Sequence, residues 1–426
     1  MSCLLLSAYC LLFCVICVIC GYWIYCRCPT ASPFLFSPLP FASMRRQYLK
    51  KAGLSAASLL ITLIALEIAL RLFGYNPPTY WRRGTDLTFR PSLYPDLKYE
   101  HTPGASVKSW GTDIKINSQG FRGPEPSSDP ATERVIVLGD SIAFGNNLEL
   151  EDTFPFQLQQ RLVSQRRNVE VLNFGVGGYD TLQEVALLEI RGLKYHPSLV
   201  VVAYCLNDIG IASMSPEHIQ RMQQMQSSPY SFVYESRLVQ LISESVETIR
   251  TKNWVKHVND PEVFHREYAN QFDPIGDDES ELLDLMNQSP KWPSSTWYGD
   301  RDRVGRLRFG FRRLARLSKE NDFPVVIMII PLLQDKGGTY SHRAAHRIVE
   351  MEARRAGFDT IDLTDEFLRA GMGNLTLLLG DIIHPNKTGH AIMADSLSAF
   401  ITDHLPSPRT VNPQIPQITP IKRQGQ

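Results

Sequence analysis

Five residues of this chain are suited to act together in acyl transfer. Gly139, Asp140 and Ser141 follow an apolar stretch and supply a hydroxyl. Asn173, Phe174, Gly175, Val176, Gly177 and Gly178 make a glycine-rich turn after a second apolar stretch, and Leu206, Asn207 and Asp208 follow a third. Asp381 and His384 stand three apart near the C-terminal end. A serine attacks a carbonyl when a base takes its proton, and the base needs an acid to orient it. The oxyanion that forms needs preorganised donors. His384 is the candidate base for Ser141, and Asp381 the orienting acid. The Asn207 amide can donate to the oxyanion. Gly178 has no side chain, so its N–H can come close to a substrate oxygen. Gly175 or Gly177 would serve if the turn is offset. Ser141, opening a helix, adds its own backbone N–H. Pro385 disfavours helical geometry at His384, so residues 381–384 should form a loop. That loop would bring the carboxylate to the far nitrogen of the imidazole and fix its tautomer.

Residues so far apart meet only if the fold presents them at one edge. Short continuous apolar runs at 134–139 (RVIVLG), 169–175, 198–208, 324–331 and 359–363 read as buried parallel strands. Segments of helical period lie between and after them, at about 153–164, 181–193, 302–320, 342–356 and 386–404. This alternation implies βαβ units and a parallel sheet covered on both faces. In such sheets the site lies beyond the carboxyl ends of the strands, where the hydroxyl, the glycine turn and the carboxamide fall. Residues 211–300 interrupt the alternation and read as a helical insertion, with helices near 217–226 and 236–251. Residues 76–130, rich in Pro, Gly, Asp and Ser, read as an irregular lead-in that packs on the main domain. The Pro-rich, polar stretch 406–426 reads as a disordered tail.

Other chemically capable residues have plainer readings. Asp140 and Asp208 are expected to cap or brace their own loops, Cys205 to be a buried structural thiol, and His390 to pack. His342 and His346 stand four apart as a metal pair would, but no third ligand accompanies them. Trp292, Trp297 and Tyr298 are expected to form a small core of the insertion rather than line a cleft.

Four blocks resemble the SGNH (GDSL-type) hydrolases: VLGDSIAFG at 137–145, NFGVGGYDT at 173–181, YCLNDI at 204–209 and DIIHPNKTGH at 381–390. The resemblance spans about 134–405. It implies a flavodoxin-like three-layer α/β/α sandwich with a mostly parallel five-stranded sheet, and a hydrolase domain over 131–405. It gives Ser141, Asp381 and His384 the triad roles, and Gly178 and Asn207 the oxyanion roles. It implies an acyl-enzyme on Ser141 resolved by water, with no metal and no organic cofactor. One position departs: where the family often has Gly two residues before the Asn, this chain has Cys205. INSQGFRGPE (116–125) and the apolar ending ALEIALRLFGY are similar to the lead-in of membrane-anchored bacterial members.

Composition bounds the partners. Hydrophobic residues are 43% and charged residues 21%, which suits a globular core. Lys plus Arg and Asp plus Glu are both 44, so nothing favours nucleic acid. A mean hydropathy of −0.16 excludes a polytopic membrane protein. Seven of 8 cysteines lie at or before Cys28, without the paired C-x-x-C and His pattern of a zinc site. Residues 3–26 and 54–73 are apolar and close to the ~20 needed to cross a bilayer. Glu67 and Arg71, four apart, can pair on one helical face. Arg27, Arg45, Arg46, Lys50 and Lys51 lie between the two segments and should stay cytoplasmic. Either both segments span, or Met44 is the start and 44–75 is a signal anchor preceded by an extraneous Cys-rich stretch, 1–43. The second reading is preferred; a cleaved signal is not, because LRLFGYNPP offers no small-residue site. Both readings put the chain after Tyr75 outside the cytoplasm, periplasmic or at the cell surface.

The expectation is therefore an extracytoplasmic, membrane-anchored serine esterase whose ester-bearing substrate is a carbohydrate O-acetyl group, a lipid or a small ester. The alternatives are an O-acyltransferase using the same residues and an idle carbohydrate-binding or assembly protein. A nucleotide binder is disfavoured, since no G-x-G-x-x-G or Walker loop follows the first strand.

Overall fold

The computed structural model describes residues 41–75, 88–109, 112–210 apart from 166, 236–289 apart from 259 and 269, and 297–404 apart from 336 and 379; between 210 and 236 it describes Glu217, Ile219, Gln220, Arg221 and Gln224. The apolar stretch 3–26, most of the expected helix near 217–226, Trp292 and the tail 406–426 lie outside the described residues.

The chain divides into two units, 1–66 and 67–426. Helix α1, Phe41–Leu72, runs through the first and into the second. Its stretch Leu49–Leu72 has a mean hydropathy of 2.1 and is long and apolar enough to cross a membrane. Glu67 pairs with Arg71 at 2.7 Å, as their spacing predicts. Glu67 also accepts hydrogen bonds from Ser236 Oγ and from the N–H groups of Arg237 and Leu238.

The lead-in is more regular than its composition suggests. It holds two antiparallel pairs: β1 (Phe89–Pro91) with β2 (Tyr99–His101), and β3 (Ser106–Ser109) with β4 (Thr112–Lys115). Strands of three and four residues set between turn residues give little periodicity to read, so the stretch as a whole reads as irregular.

The second unit is built on one parallel sheet. Its strands are β5 (Glu133–Gly139), β6 (Val169–Asn173), β7 (Leu199–Cys205), β8 (Val325–Ile330) and β9 (Asp359–Asp362), in the order β6-β5-β7-β8-β9. Every residue of β7 and β8 is buried, which is why both read as unbroken apolar runs rather than alternating ones. The order reverses direction after β6, so right-handed crossovers put helices on both faces. This is the three-layer α/β/α sandwich, and all five strands are parallel. Helix α2 is a single turn, Ser141–Phe144. It is followed by α3 (Phe154–Ser164) and α4 (Thr181–Leu187). After α4 a π turn and a tighter turn carry the chain to Tyr195, so the helix expected to 193 ends early.

The segment after β7 contains α5 (Arg237–Val258), α6 (Pro261–Tyr268) and α7 (Ser280–Gln288). The doubly wound pattern resumes with α8 (Arg301–Asn321), α9 (Arg343–Arg355), α10 (Thr364–Ala370) and α11 (Lys387–His404). Helix α3 packs on α11, while α4, α8, α9 and α7 pack in series. The strand-end residues expected to be strand (Phe174, Gly175, Leu206, Asn207 and Asp208) are loop. The hydrogen-bonded ladder stops at Asn173 and Cys205.

Candidate active site

Three strand ends and one loop bring the candidate groups together. Beyond β5, Asp140 caps α2: its Oδ1 accepts the Ile142 N–H at 2.9 Å. Ser141, the first residue of α2, places Oγ 2.9 Å from His384 Nε2. His384 Nδ1 lies 2.8 Å from Asp381 Oδ2. An ionised carboxylate only accepts, so Nδ1 carries the hydrogen; in the neutral imidazole Nε2 is then bare, and the serine O–H donates to it. Asp140 Oδ2, at 3.3 Å, is the more distant acceptor for the same hydroxyl.

The loop that carries the acid and base is fixed by its backbone. Asp381 Oδ1 accepts the N–H groups of Ile383 and His384 at 2.9 and 3.1 Å. Leu333 N–H donates to Ile382 O, and Leu377 N–H to His384 O. Residue 385 bridges to Thr376 and helix α11 starts at Lys387, as Pro385 predicts. Partial burial pushes the Asp381 carboxyl upward. The hydrogen bonds from His384 and the two N–H groups outweigh it, and the carboxyl sits below its ordinary range.

Beyond β7, Asn207 Nδ2 donates to Asp140 Oδ2 at 2.9 Å. One amide hydrogen is thereby engaged and the other is left for a ligand. Beyond β6, Tyr179 N–H bonds back to Val176 O, closing a turn with Gly178 at its third position and φ +79°. That turn type requires positive φ there, and glycine adopts it without strain. A Cβ on Gly177 would lie 3.8 Å from Ser141 Cβ, so the turn runs beside the nucleophile. The N–H groups of Ser141 and Gly178 meet no acceptor among the described residues. Ser141, His384 and Asp381 are thus linked in series, Asn207 joins them through Asp140, and Gly178 lies in the turn that runs beside Ser141.

The plainer readings fare differently one by one. Asp208 braces its own loop, accepting Cys205 N–H at 2.7 Å. Cys205 is fully buried, and burial pushes its thiol well above the ordinary range. His390 packs on Phe154, and its Nδ1 accepts the Phe154 N–H at 3.1 Å. The His342 and His346 pair is taken by protein partners: His346 by Tyr340 and Asp362, both at 3.0 Å, and His342 by Gln334. Tyr298 belongs to the main core rather than to a separate small one. Its hydroxyl meets that of Tyr204 at 2.7 Å and the Leu206 carbonyl.

Two features escape the sequence reading. Asp140 holds Asn207 as well as capping α2, a relation between residues far apart in the chain. Glu184 on α4 is buried and its carboxyl oxygens have no hydrogen-bond partner among the described residues. Burial, with the charges of Asp140 and Asp180, pushes Glu184 well upward. Burial, with Glu184 and Asp140, does the same to Asp208. Both features depend on what packs from elsewhere in the chain, so no local pattern signals them.

A doubly wound sheet with a serine, histidine and aspartate linked at its carboxyl edge is the frame of a serine hydrolase. The profile of the GDSL-like lipase/acylhydrolase family matches residues 137–392, and the chain belongs to that family. It is 29% identical over 93 residues to an arylesterase of Vibrio mimicus, a match covering 22% of this chain and 46% of that one. The chain thus spans about half the length of this curated relative. Among solved structures it is similar to an acetylxylan esterase from Geobacillus stearothermophilus, at 14% identity and a TM-score of 0.36 over 65% of this chain and 97% of that one. It is also similar to a psychrotrophic esterase from a Pseudoalteromonas species, at 12% identity and a TM-score of 0.34 over 64% of this chain and 97% of that one.

Proposed function

We propose that this protein is a membrane-anchored serine esterase that hydrolyses an acyl ester, with Ser141, His384 and Asp381 as its triad. The observation that carries this reading is the unbroken relay from Ser141 Oγ to His384 Nε2 and from His384 Nδ1 to Asp381, at 2.9 and 2.8 Å. Ser141 Oγ bonds to the ester carbonyl carbon while its proton passes to His384 Nε2. Asp381 stabilises the imidazolium that results. The carbonyl oxygen, now negative, is held by the free hydrogen of the Asn207 amide and by the N–H groups of Gly178 and Ser141. Collapse breaks the bond to the alkoxy oxygen, which takes the proton from His384 and leaves as an alcohol. Water then repeats the sequence on the acyl-enzyme, and the acid is released.

The substrate class that fits an enzyme at a membrane surface is an O-acyl group on a carbohydrate or a lipid. The apolar length of α1 supports the anchor. Lys50 and Lys51, at the start of its apolar stretch, support a cytoplasmic N-terminal side and an extracytoplasmic domain. We also propose the division into an anchor (44–75), a lead-in (76–130) and a hydrolase domain (131–405).

The full chain in detergent, incubated with p-nitrophenyl acetate, should release p-nitrophenol, and Ser141→Ala should not. A Ser141→Ala protein that keeps most of the activity would overturn the triad. A reporter fused to the C-terminus should signal from outside the cytoplasm, and a cytoplasmic signal would overturn the orientation.

A further inference from the structure

Helix α2 is one turn long, and a single turn fixes its backbone for too few hydrogen bonds to be stable alone. Something else must hold Ser141 where His384 can reach it. The carbonyl groups of α2 and the residues after it show what does. Ser141 O accepts Gly145 N–H and Asn146 N–H, and Ile142 O accepts Gly145 N–H. Ala143 O accepts Asn173 Nδ2 at 2.8 Å. Arg122 engages three more: Nη1 donates to Phe144 O at 3.0 Å and to Gly145 O at 2.6 Å, which also accepts the Leu148 N–H, and Nη2 donates to Leu148 O at 2.5 Å. The guanidinium also lies 5.1 Å from the centre of the Phe144 ring.

Arg122 is 2% exposed. Its hydrogen bonds to described residues go to carbonyl oxygens, not to a carboxylate. A buried cation is costly, and apolar replacements of buried charges are often neutral or stabilising. Stability alone therefore gives little reason for an arginine here. Its place is set by the lead-in, because residue 122 bridges to Ile116 on one side and to Asn173, the last residue of β6, on the other. The neighbouring histidines leave the positive charge to Arg122. Burial first, with the Arg122 charge contributing, holds both His101 and His390 down to about 3.

We propose that Arg122 is a positioning residue for the nucleophile: its guanidinium fixes the end of the turn that begins at Ser141, so the lead-in is a working part of the active site. Residue 122 lies outside the stretch that matches the family, 137–392. The inference rests on the esterase reading above. The planar fork of arginine spans three carbonyls, whereas a lysine ammonium is a point donor on a flexible stem.

The test uses the full chain in detergent as wild type, Arg122→Lys and Arg122→Met. It reads the rate of Ser141 labelling by a fluorophosphonate, kcat and KM on p-nitrophenyl acetate, and thermal unfolding. We expect kcat and the labelling rate to fall about tenfold or more in Arg122→Lys and further in Arg122→Met, with KM within about twofold of wild type. A folded Arg122→Lys with wild-type kcat and labelling rate, whatever its melting temperature, would overturn the proposal. Should Arg122→Met fail to melt cooperatively, Arg122→Lys alone decides. A wild-type chain that neither turns over nor labels would instead count against the esterase reading.

Discussion

Asn207 Nδ2 and Asp140 Oδ2 are 2.9 Å apart, so the amide beside the nucleophile is oriented by the residue that directly precedes the nucleophile. The same carboxylate caps α2 through its other oxygen. One side chain therefore sets both the turn that bears Ser141 and the amide that would meet the oxyanion. Moving either group without the other would require breaking a hydrogen bond in a buried site.

Asn207→Ala should lower kcat by about 10²–10³, as removal of a preorganised oxyanion donor does, with little change in KM. It should also leave Asp140 Oδ2 without that donor. Steady-state kinetics on p-nitrophenyl acetate separates the cases: a loss confined to KM would make Asn207 a substrate-binding group.

Asp381→Asn should lower kcat by about 10⁴ while the protein stays folded. The amide oxygen can still accept the Ile383 and His384 N–H groups that Asp381 Oδ1 now accepts. Its NH₂ would then face His384 Nδ1 and favour the tautomer whose Nε2 carries the hydrogen, which cannot take a proton from Ser141. An Asn variant with a kcat near wild type would mean that His384 keeps its orientation without the carboxylate.

Gly175→Ala should damage the site from behind. A Cβ there would lie 2.2 Å from Phe144 N and 2.6 Å from Ala143 C, both backbone atoms of α2. Backbone cannot swing aside, so α2 or the glycine turn must move. Overpacking of this kind costs about 1–3 kcal/mol, read as a lower melting temperature, and kcat should fall with it. Unchanged stability and activity would show that the contact between the two loops is looser than these distances.

His390 makes stability depend on pH. Burial first, and then the charges of Arg122 and His384, hold its folded pKa down to about 3. An unfolded histidine titrates near 6.5. Between those values the unfolded chain binds the extra proton, so stability falls as pH falls. For this one group the loss from pH 7 to pH 5 is about 2 kcal/mol. His390→Gln can still accept the Phe154 N–H and does not titrate. The stability of wild type relative to His390→Gln should therefore drop by about that amount between pH 7 and pH 5 in denaturant titrations. Parallel curves would mean that His390 protonates equally well in the folded state.

The sequence by itself determined the alternation of apolar runs and helical segments, and with it the parallel sheet. It also determined the chemistry at each strand end. Buried parallel strands must be continuously apolar, and a nucleophile, a glycine turn and an amide must follow them within a few residues, so both patterns are local. Pro385 made the loop at 381–384 legible for the same reason. The apolar stretch 54–73 was legible in the composition, and α1 covers it as far as Leu72. Only the tertiary structure decided which groups meet across the sheet. The strand order β6-β5-β7 puts Asn207 beside Asp140 and the glycine turn beside Ser141, and no local pattern encodes strand order. The pairing of the short lead-in strands, the early end of α4 and the burial of Glu184 were likewise invisible, since each depends on what packs from elsewhere in the chain. Arg122 is the sharpest case. In the sequence it is one cation in a polar, turn-rich stretch, and it becomes the partner of three carbonyls only when that stretch closes over the end of the nucleophile turn.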